Sequence, residues 1–93
     1  MFFSRRADVI ESDKGFFVQI LGRTGIKYCE GEHVLFVDSE VLAHGYGIAI
    51  FSKSINVWQA PHSEEVITAG KKKEIIENIR QAIAFQNQPV EVL

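Results

Sequence analysis

Residues 15–40 read GFFVQILGRTGIKYCEGEHVLFVDSE, and this stretch decides the fold. It contains three short runs rich in apolar and β-branched side chains, separated by glycine-containing turns at 22–25 and 30–32. Short runs of this kind, broken by turn residues, are typical of antiparallel strands joined by hairpins. The stretch therefore predicts three consecutive strands of one sheet.

The same rhythm continues on both sides of this stretch. Before it, the turn Asp13-Lys14-Gly15 offers a glycine that can adopt a positive φ. After it, further apolar runs follow until Pro61. The candidate strands together cover residues 7–12, 16–21, 26–30, 33–38, 47–51 and 55–58, and the run from 33 has room to extend through Glu40.

A single helix follows the strands. Ile75, Ile79 and Ile83 recur at four-residue spacing and form one apolar stripe. Thr68 is the predicted N-cap residue, because its side-chain oxygen can accept a hydrogen bond from a free backbone N–H of the first turn. Pro89 disfavours helical backbone in the residue before it, so the helix is predicted over residues 68–87. Residues 90–93 are left as either a last strand or a loose tail.

A run of strands followed by one helix predicts an α+β fold. We expect an antiparallel sheet of five to seven short strands over residues 7–58, with one C-terminal helix packed on one face. The chain has 93 residues, which suits a single domain over 1–93. Its 46% hydrophobic and 24% charged residues are an ordinary globular balance and argue against disorder.

One helix covers only one face of a sheet, yet the run from Phe16 to Leu21 is apolar on both faces. We expect the second face to be closed by curvature of the sheet, by the N-terminal Phe2 and Phe3, or by a second copy of the chain. A homodimer is slightly favoured.

Charge and composition exclude several classes of protein. The formal net charge of −2 argues against a general nucleic-acid binder. A membrane-spanning helix needs about 20 apolar residues, and the longest apolar runs here have four. Cys29 is the only cysteine, so no internal disulfide forms. These features predict a cytoplasmic protein that does not bind membranes.

No residue pattern marks a catalytic, cofactor or metal site. The sequence has no Cys-x-x-Cys, no His-Glu-x-x-His and no Gly-x-Ser-x-Gly. Cys29 lies within a predicted strand, where a buried, inert thiol is the commoner arrangement. One cysteine cannot build a common structural zinc site, and the acids near His33 are typical of a solvated hairpin, so no metal site is predicted. The candidate ligands are Cys29, Glu30, Glu32, His33, His44 and His62. We expect no enzymatic activity and no cofactor.

Five segments occur in this order along the chain: VDSE at 37–40, GIAIF at 47–51, SINVW at 54–58, APH at 60–62 and IIENI at 75–79. Together they resemble one protein family, the bacterial immunity proteins called Immunity protein 74. The likeness covers about residues 26–86. Gln59 departs from it, because an acidic residue often follows the tryptophan in that family.

The resemblance implies a non-catalytic protein that neutralises a cognate toxin domain of a polymorphic toxin system by occlusion. Residues 28–69 carry six acidic residues and one lysine, a net charge of −5 that suits a basic toxin surface. A small ligand- or subunit-binding accessory domain is the alternative, and a small hydrolase using Cys29 or a histidine is a distant third. The expected contact residues are Asp38, Glu40, Tyr46, His62, Glu64 and Glu65.

Overall fold

Seven β-strands stand side by side in chain order in the computed structural model, which describes residues 1–42 and 47–93. All neighbouring strands are antiparallel except the last pair, β6 and β7, which is parallel. The predicted α+β class is confirmed. The strands are β1 Phe2–Arg6, β2 Val9–Ser12, β3 Phe16–Ile20, β4 Gly25–Glu30, β5 His33–Val41, β6 Ile48–Ile50 and β7 Val90–Val92.

Tight hairpins explain the antiparallel order. Gly15 and Gly31 lie in the turns before β3 and after β4, with φ of 95° and 61°. Positive φ is strained for residues with a Cβ, so glycine is the residue these turns require.

The helix, α1, runs from Ala69 to Ala84. Its N-cap is as predicted, because Thr68 accepts a hydrogen bond from the backbone N–H of Lys71 at 3.1 Å. Ile75, Ile79 and Ile83 are all buried. The helix ends three residues earlier than predicted, and Asn87 has a φ of 61° as the chain turns back towards β7. The long connection through α1 is what allows β7 to lie parallel to β6.

The two faces of the sheet differ sharply. On the covered face, which packs against α1, one row across β2 to β5 consists of Ile10, Val18, Tyr28 and Leu35, each no more than 1% exposed. On the opposite side, here called the open face, the register aligns two rows. These are Phe3, Glu11, Phe17, Cys29 and Val34, and then Val9, Gln19, Lys27 and Phe36.

Two assignments at the ends of the predicted strand region differ from the structure. Residues 2–6 form β1, although the sequence predicted the first strand at 7–12. Phe2 anchors β1 from the covered face, with its ring centroid 6.0 Å from those of Phe16 and Phe85. Phe3 lies on the open face. Of the two N-terminal phenylalanines expected to close that face, only Phe3 is on it.

The predicted strand at 55–58 is wrong. Ile55 and Trp58 are buried in the core, while Val57 makes only an isolated bridge to Val66. The preceding turn at Ser52–Ser54 is a short 3₁₀ helix. The stretch follows the edge of β5 through two bonds that involve Asp38, whose N–H donates to Ser54 Oγ and whose carbonyl accepts from Phe51 N–H. Residues 90–92 form a strand, so the C-terminal segment is a last strand of the sheet and not a loose tail.

Candidate functional site

The predicted contact residues fall on two separate surfaces. Asp38 and Glu40 are exposed on the open face of β5. His62, Glu64 and Glu65 lie in the loop between residues 57 and 66, and the first and last of them contact His33 at the beginning of β5. With a rise of about 3.4 Å per residue, His33 and Asp38 stand about 17 Å apart along the strand. Tyr46 lies outside the described residues.

The open face keeps large apolar side chains in contact with solvent. Phe36 is 47% exposed and Phe3 is 38% exposed. Cys29, by contrast, is only 4% exposed in the row between Phe17 and Val34. The open face is therefore an apolar surface that is buried at Cys29 and exposed at the aromatic ring of Phe36 on β5.

A groove of about 250 Å³ lies on this face over β1 to β3. Arg5 bonds Glu11 at 3.4 Å, and Arg6 bonds Asp8 at 3.0 Å. The hydrogen bonds from Arg6 and Gln19 lower the pKa of Asp8 to about 2. The groove is lined by Arg5, Arg6, Val9, Glu11 and Phe17.

Basic and acidic side chains both occur on the open face. The arginines of β1 bond Glu11 and Asp8, Lys27 stands on β4, and Asp38 and Glu40 stand on β5. Phe36 therefore lies between a basic and an acidic side chain, two residues before Asp38 on its own strand and opposite Lys27 on the next.

The second surface is the histidine cluster, consisting of His33, His62 and Glu65. Nε2 of His33 and Nδ1 of His62 lie 2.9 Å and 2.5 Å from the two carboxylate oxygens of Glu65. The imidazole rings are stacked, with centroids 3.9 Å apart and an angle of 21° between their planes. The hydrogen bonds from His33 and His62 hold the pKa of Glu65 below its usual value.

The loop that carries His62 and Glu65 is fixed at several points. The bridge between Val57 and Val66 closes it, and the N–H of Gln59 donates to the carbonyl of Val34 at 2.8 Å. Trp58 is 5% exposed and packs edge-on against His33 with a centroid distance of 5.0 Å. Trp58 is thus a core residue whose ring packs against the histidine cluster from the interior of the protein.

The remaining polar network has a structural role. The hydroxyl of Tyr28 donates to Glu30 at 2.6 Å and accepts from Asn78 at 2.9 Å. Lys71 bonds both Glu30 and Glu74. Partial burial acts to raise the pKa of Glu30, but the bonds from Lys71 and Tyr28 outweigh it and hold that pKa below its ordinary value. The first lysine of the helix is therefore explained by the carboxylates it joins.

Cys29 shows no sign of activation. Its burial raises the pKa of the thiol, whereas a reactive cysteine needs a lowered pKa. A hydrolase built on Cys29 gains no support from this geometry.

A model of the family described as Immunity protein 74 matches residues 18–92. The chain belongs to the Immunity protein 74 family. The matched segment begins in β3 and reaches β7, so it contains both Phe36 and the histidine cluster, while β1 and β2 precede it. No curated protein and no solved structure was found to match the chain.

The family assignment agrees with the resemblance seen in the sequence and identifies an immunity protein. Within residues 1–42 and 47–93, no helix is both long and apolar enough to cross a membrane.

Two features of these surfaces were missed from the sequence. His33 and His62 were both among the candidate metal ligands, but nothing in the sequence indicated that His33 bonds Glu65, 32 residues away. No local spacing signals that contact. The exposure of Phe36 had a usable signal, because Phe36 alternates with the buried Leu35 and Val37 in a chain with only one predicted helix.

Proposed function

We propose that this immunity protein neutralises a cognate toxin domain of a bacterial polymorphic toxin system by binding it and covering its active site or the route of its substrate. Inhibition of this kind needs a complementary surface and slow dissociation rather than catalytic residues. The observation that carries the proposal is an open sheet face, within a chain of the immunity family, that leaves Phe36 47% exposed.

The acidic end of the open face is the proposed centre of contact. Aromatic side chains near the middle of an interface commonly supply much of its binding free energy, and Phe36 is such a side chain. Asp38 and Glu40 stand on the same face of the same strand and are exposed. They would form a charged rim around the ring, the usual arrangement of a specific interface.

A basic toxin surface is the proposed partner. Residues 28–69 have a net charge of −5, and unlike charges accelerate association by steering the two molecules together. His62, Glu64 and Glu65 belong to the same acidic segment but lie on the second surface. They would add to the electrostatic attraction of the toxin rather than to the central contact. Action in the cytoplasm fits a chain whose single cysteine cannot form an internal disulfide.

Co-expression with a toxin domain encoded beside this gene tests the proposal. The wild-type chain should restore growth, and Phe36→Ala should weaken binding by about tenfold or more, as expected for a central aromatic contact. Phe85→Ala is the control for the loss of an equally exposed ring, because Phe85 is also 47% exposed but packs against Phe2 just after α1. Equal loss of affinity in the two variants, at equal melting temperature, would move the interface away from the open face.

Neutralising Asp38→Asn and Glu40→Gln together separates steering from contact. We expect slower association at low salt, with little change in dissociation, and a smaller effect near 1 M salt where the Debye length is about 3 Å. An association rate that is unchanged at low salt would remove these two acids from the proposed interface.

A second copy of the chain is the competing occupant of the same face. The basic groups on β1 and β4 and the acidic groups on β5 would face one another in a two-fold pair. Sedimentation at high micromolar concentration distinguishes the two cases, because a dimer through this face would dissociate when the toxin binds. Failure of every neighbouring toxin to bind would favour an accessory domain instead.

A further inference from the structure

We propose that His33, His62 and Glu65 form a binding site for a divalent transition-metal ion, and that Zn²⁺ is the ion best matched to it. The site is distinct from the contact surface proposed around Phe36, and it does not depend on the identity of any toxin.

The donor atoms already converge. One ligand atom from each of the three side chains can be chosen so that all three lie within 4.8 Å of one another. Two ligands of a tetrahedral zinc ion, each bound at 2.0–2.2 Å, stand about 3.4 Å apart. Contraction of the longest separation by about 1.4 Å would therefore complete three of the four positions. The carboxylate of Glu65, whose side chain is 53% exposed, already contacts both rings.

The donor set selects the class of metal. Two imidazole nitrogens and one carboxylate oxygen are the combination found in many zinc sites with an open fourth position. Imidazole also suits Cu²⁺ and Ni²⁺, whereas Mg²⁺ and Ca²⁺ prefer sites made entirely of oxygen. The exposed side of Glu65 leaves space for water as the fourth ligand.

The two nitrogens that would bind the ion are those that now face Glu65. In the neutral rings, those nitrogens donate their hydrogens to the carboxylate. Metal binding requires each ring to carry its proton on its other nitrogen instead, which a change of tautomer accomplishes without charging the rings. The carboxylate then bonds the ion in place of the two N–H groups.

The scaffold around the cluster is fixed before any ion binds. His33 stands at the first position of β5, while His62 and Glu65 lie in the loop closed by the bridge between Val57 and Val66. Trp58 supports the ring of His33 from the core. An ion would join the loop to the strand at this point and stabilise the folded chain, because only the folded state brings the ligands together.

Calorimetric titration with ZnCl₂ tests the proposal, with MgCl₂ as the comparison ion. We expect saturable binding of one Zn²⁺ per chain and a rise in melting temperature, with neither for Mg²⁺. Glu65→Gln and His33→Gln should each weaken zinc binding by at least about tenfold, whereas Glu64→Gln removes the same charge one residue away and should change the affinity little. Equal affinity in all four proteins would overturn the site.

The wild-type chain provides a second readout that does not depend on the folding of any variant. Long-range ¹H–¹⁵N spectra report on the ring nitrogens of each histidine. Nε2 of His33 and Nδ1 of His62 should shift together as zinc is added. Shifts confined to His44, or the absence of any zinc-dependent shift, would show that the cluster does not bind the ion.

Discussion

The two faces of the sheet are built from the same strands but differ in how far their side chains are buried. Val18 and Tyr28 are fully buried beneath α1, while Phe36, one residue from the buried Leu35, is 47% exposed. Alternation along a strand sends neighbouring residues to opposite faces. The comparison shows that the core lies under the covered face, while the open face keeps a large aromatic side chain in contact with solvent.

The largest expected effect is on the covered face. Ile79 is fully buried in α1, so Ile79→Asp places an unpaired carboxylate in the core and should cost several kcal/mol of unfolding free energy. The matched change on the open face, Phe36→Asp, should cost only about 1–2 kcal/mol. Urea denaturation measures both, and similar losses would contradict the division between the faces.

The polar network beneath α1 should give the next largest effect. Tyr28→Phe removes a hydroxyl that bonds Glu30 and Asn78, leaving both with one partner fewer. We expect a loss of about 1–3 kcal/mol. Repeating the substitution in an Asn78→Ala background isolates the Tyr28–Asn78 bond. A full-sized loss in that background would show that the bond contributes little.

A smaller effect is expected at the start of α1, the helix that packs on the covered face. Thr68→Ala removes the N-cap oxygen that accepts from Lys71 and should cost about 1 kcal/mol. Thr24→Ala, at an exposed turn, is the control for the loss of a threonine side chain. If thermal unfolding showed equal changes in the two variants, the cap would not stabilise α1.

The smallest effect concerns acid sensitivity at the β1–β2 turn. The pKa of Asp8 is about 2 in the folded chain, below its ordinary value of 3.8, because Arg6 and Gln19 donate to it. A lowered pKa stabilises the fold above about pH 4, and that contribution is lost as the pH falls towards 2. Asp8→Asn should therefore make stability less dependent on pH in this range.

Arg6→Gln checks the cause of that effect. When the chain already carries Arg6→Gln, adding Asp8→Asn should change the pH dependence of the urea midpoint less than the same substitution does in the wild-type chain. An undiminished effect would show that Arg6 is not responsible for the low pKa of Asp8.

The sequence predicted the parts of the fold that depend on local patterns. The four-residue spacing of Ile75, Ile79 and Ile83 and the N-cap at Thr68 placed the helix, and glycine-containing turns placed the central hairpins. The first strand escaped prediction because Phe2 is held by Phe85, 83 residues away. Such a contact leaves no periodic signal in five residues.

The candidate site was less predictable for the same reason. His62 and Glu65 were predicted as partner-contact residues, and that role stays a prediction. Their bonds to each other and to His33 depend on how a loop folds against the edge of β5, which no local pattern shows. Trp58 is buried against Tyr28, with ring centroids 6.5 Å apart, and this burial depends on tertiary packing rather than on a local pattern.

Methyl NMR of the chain with and without its cognate toxin tests the central claim most directly, because valines occur on both faces. Val9 and Val34 lie on the open face, whereas Val18 and Val37 are buried on the covered face. We predict large shifts and loss of solvent contact at Val34, smaller changes at Val9, and little change at Val18 and Val37. Shifts confined to Val57 and Val66 beside the histidine cluster, with Val34 unchanged, would contradict recognition through the open face.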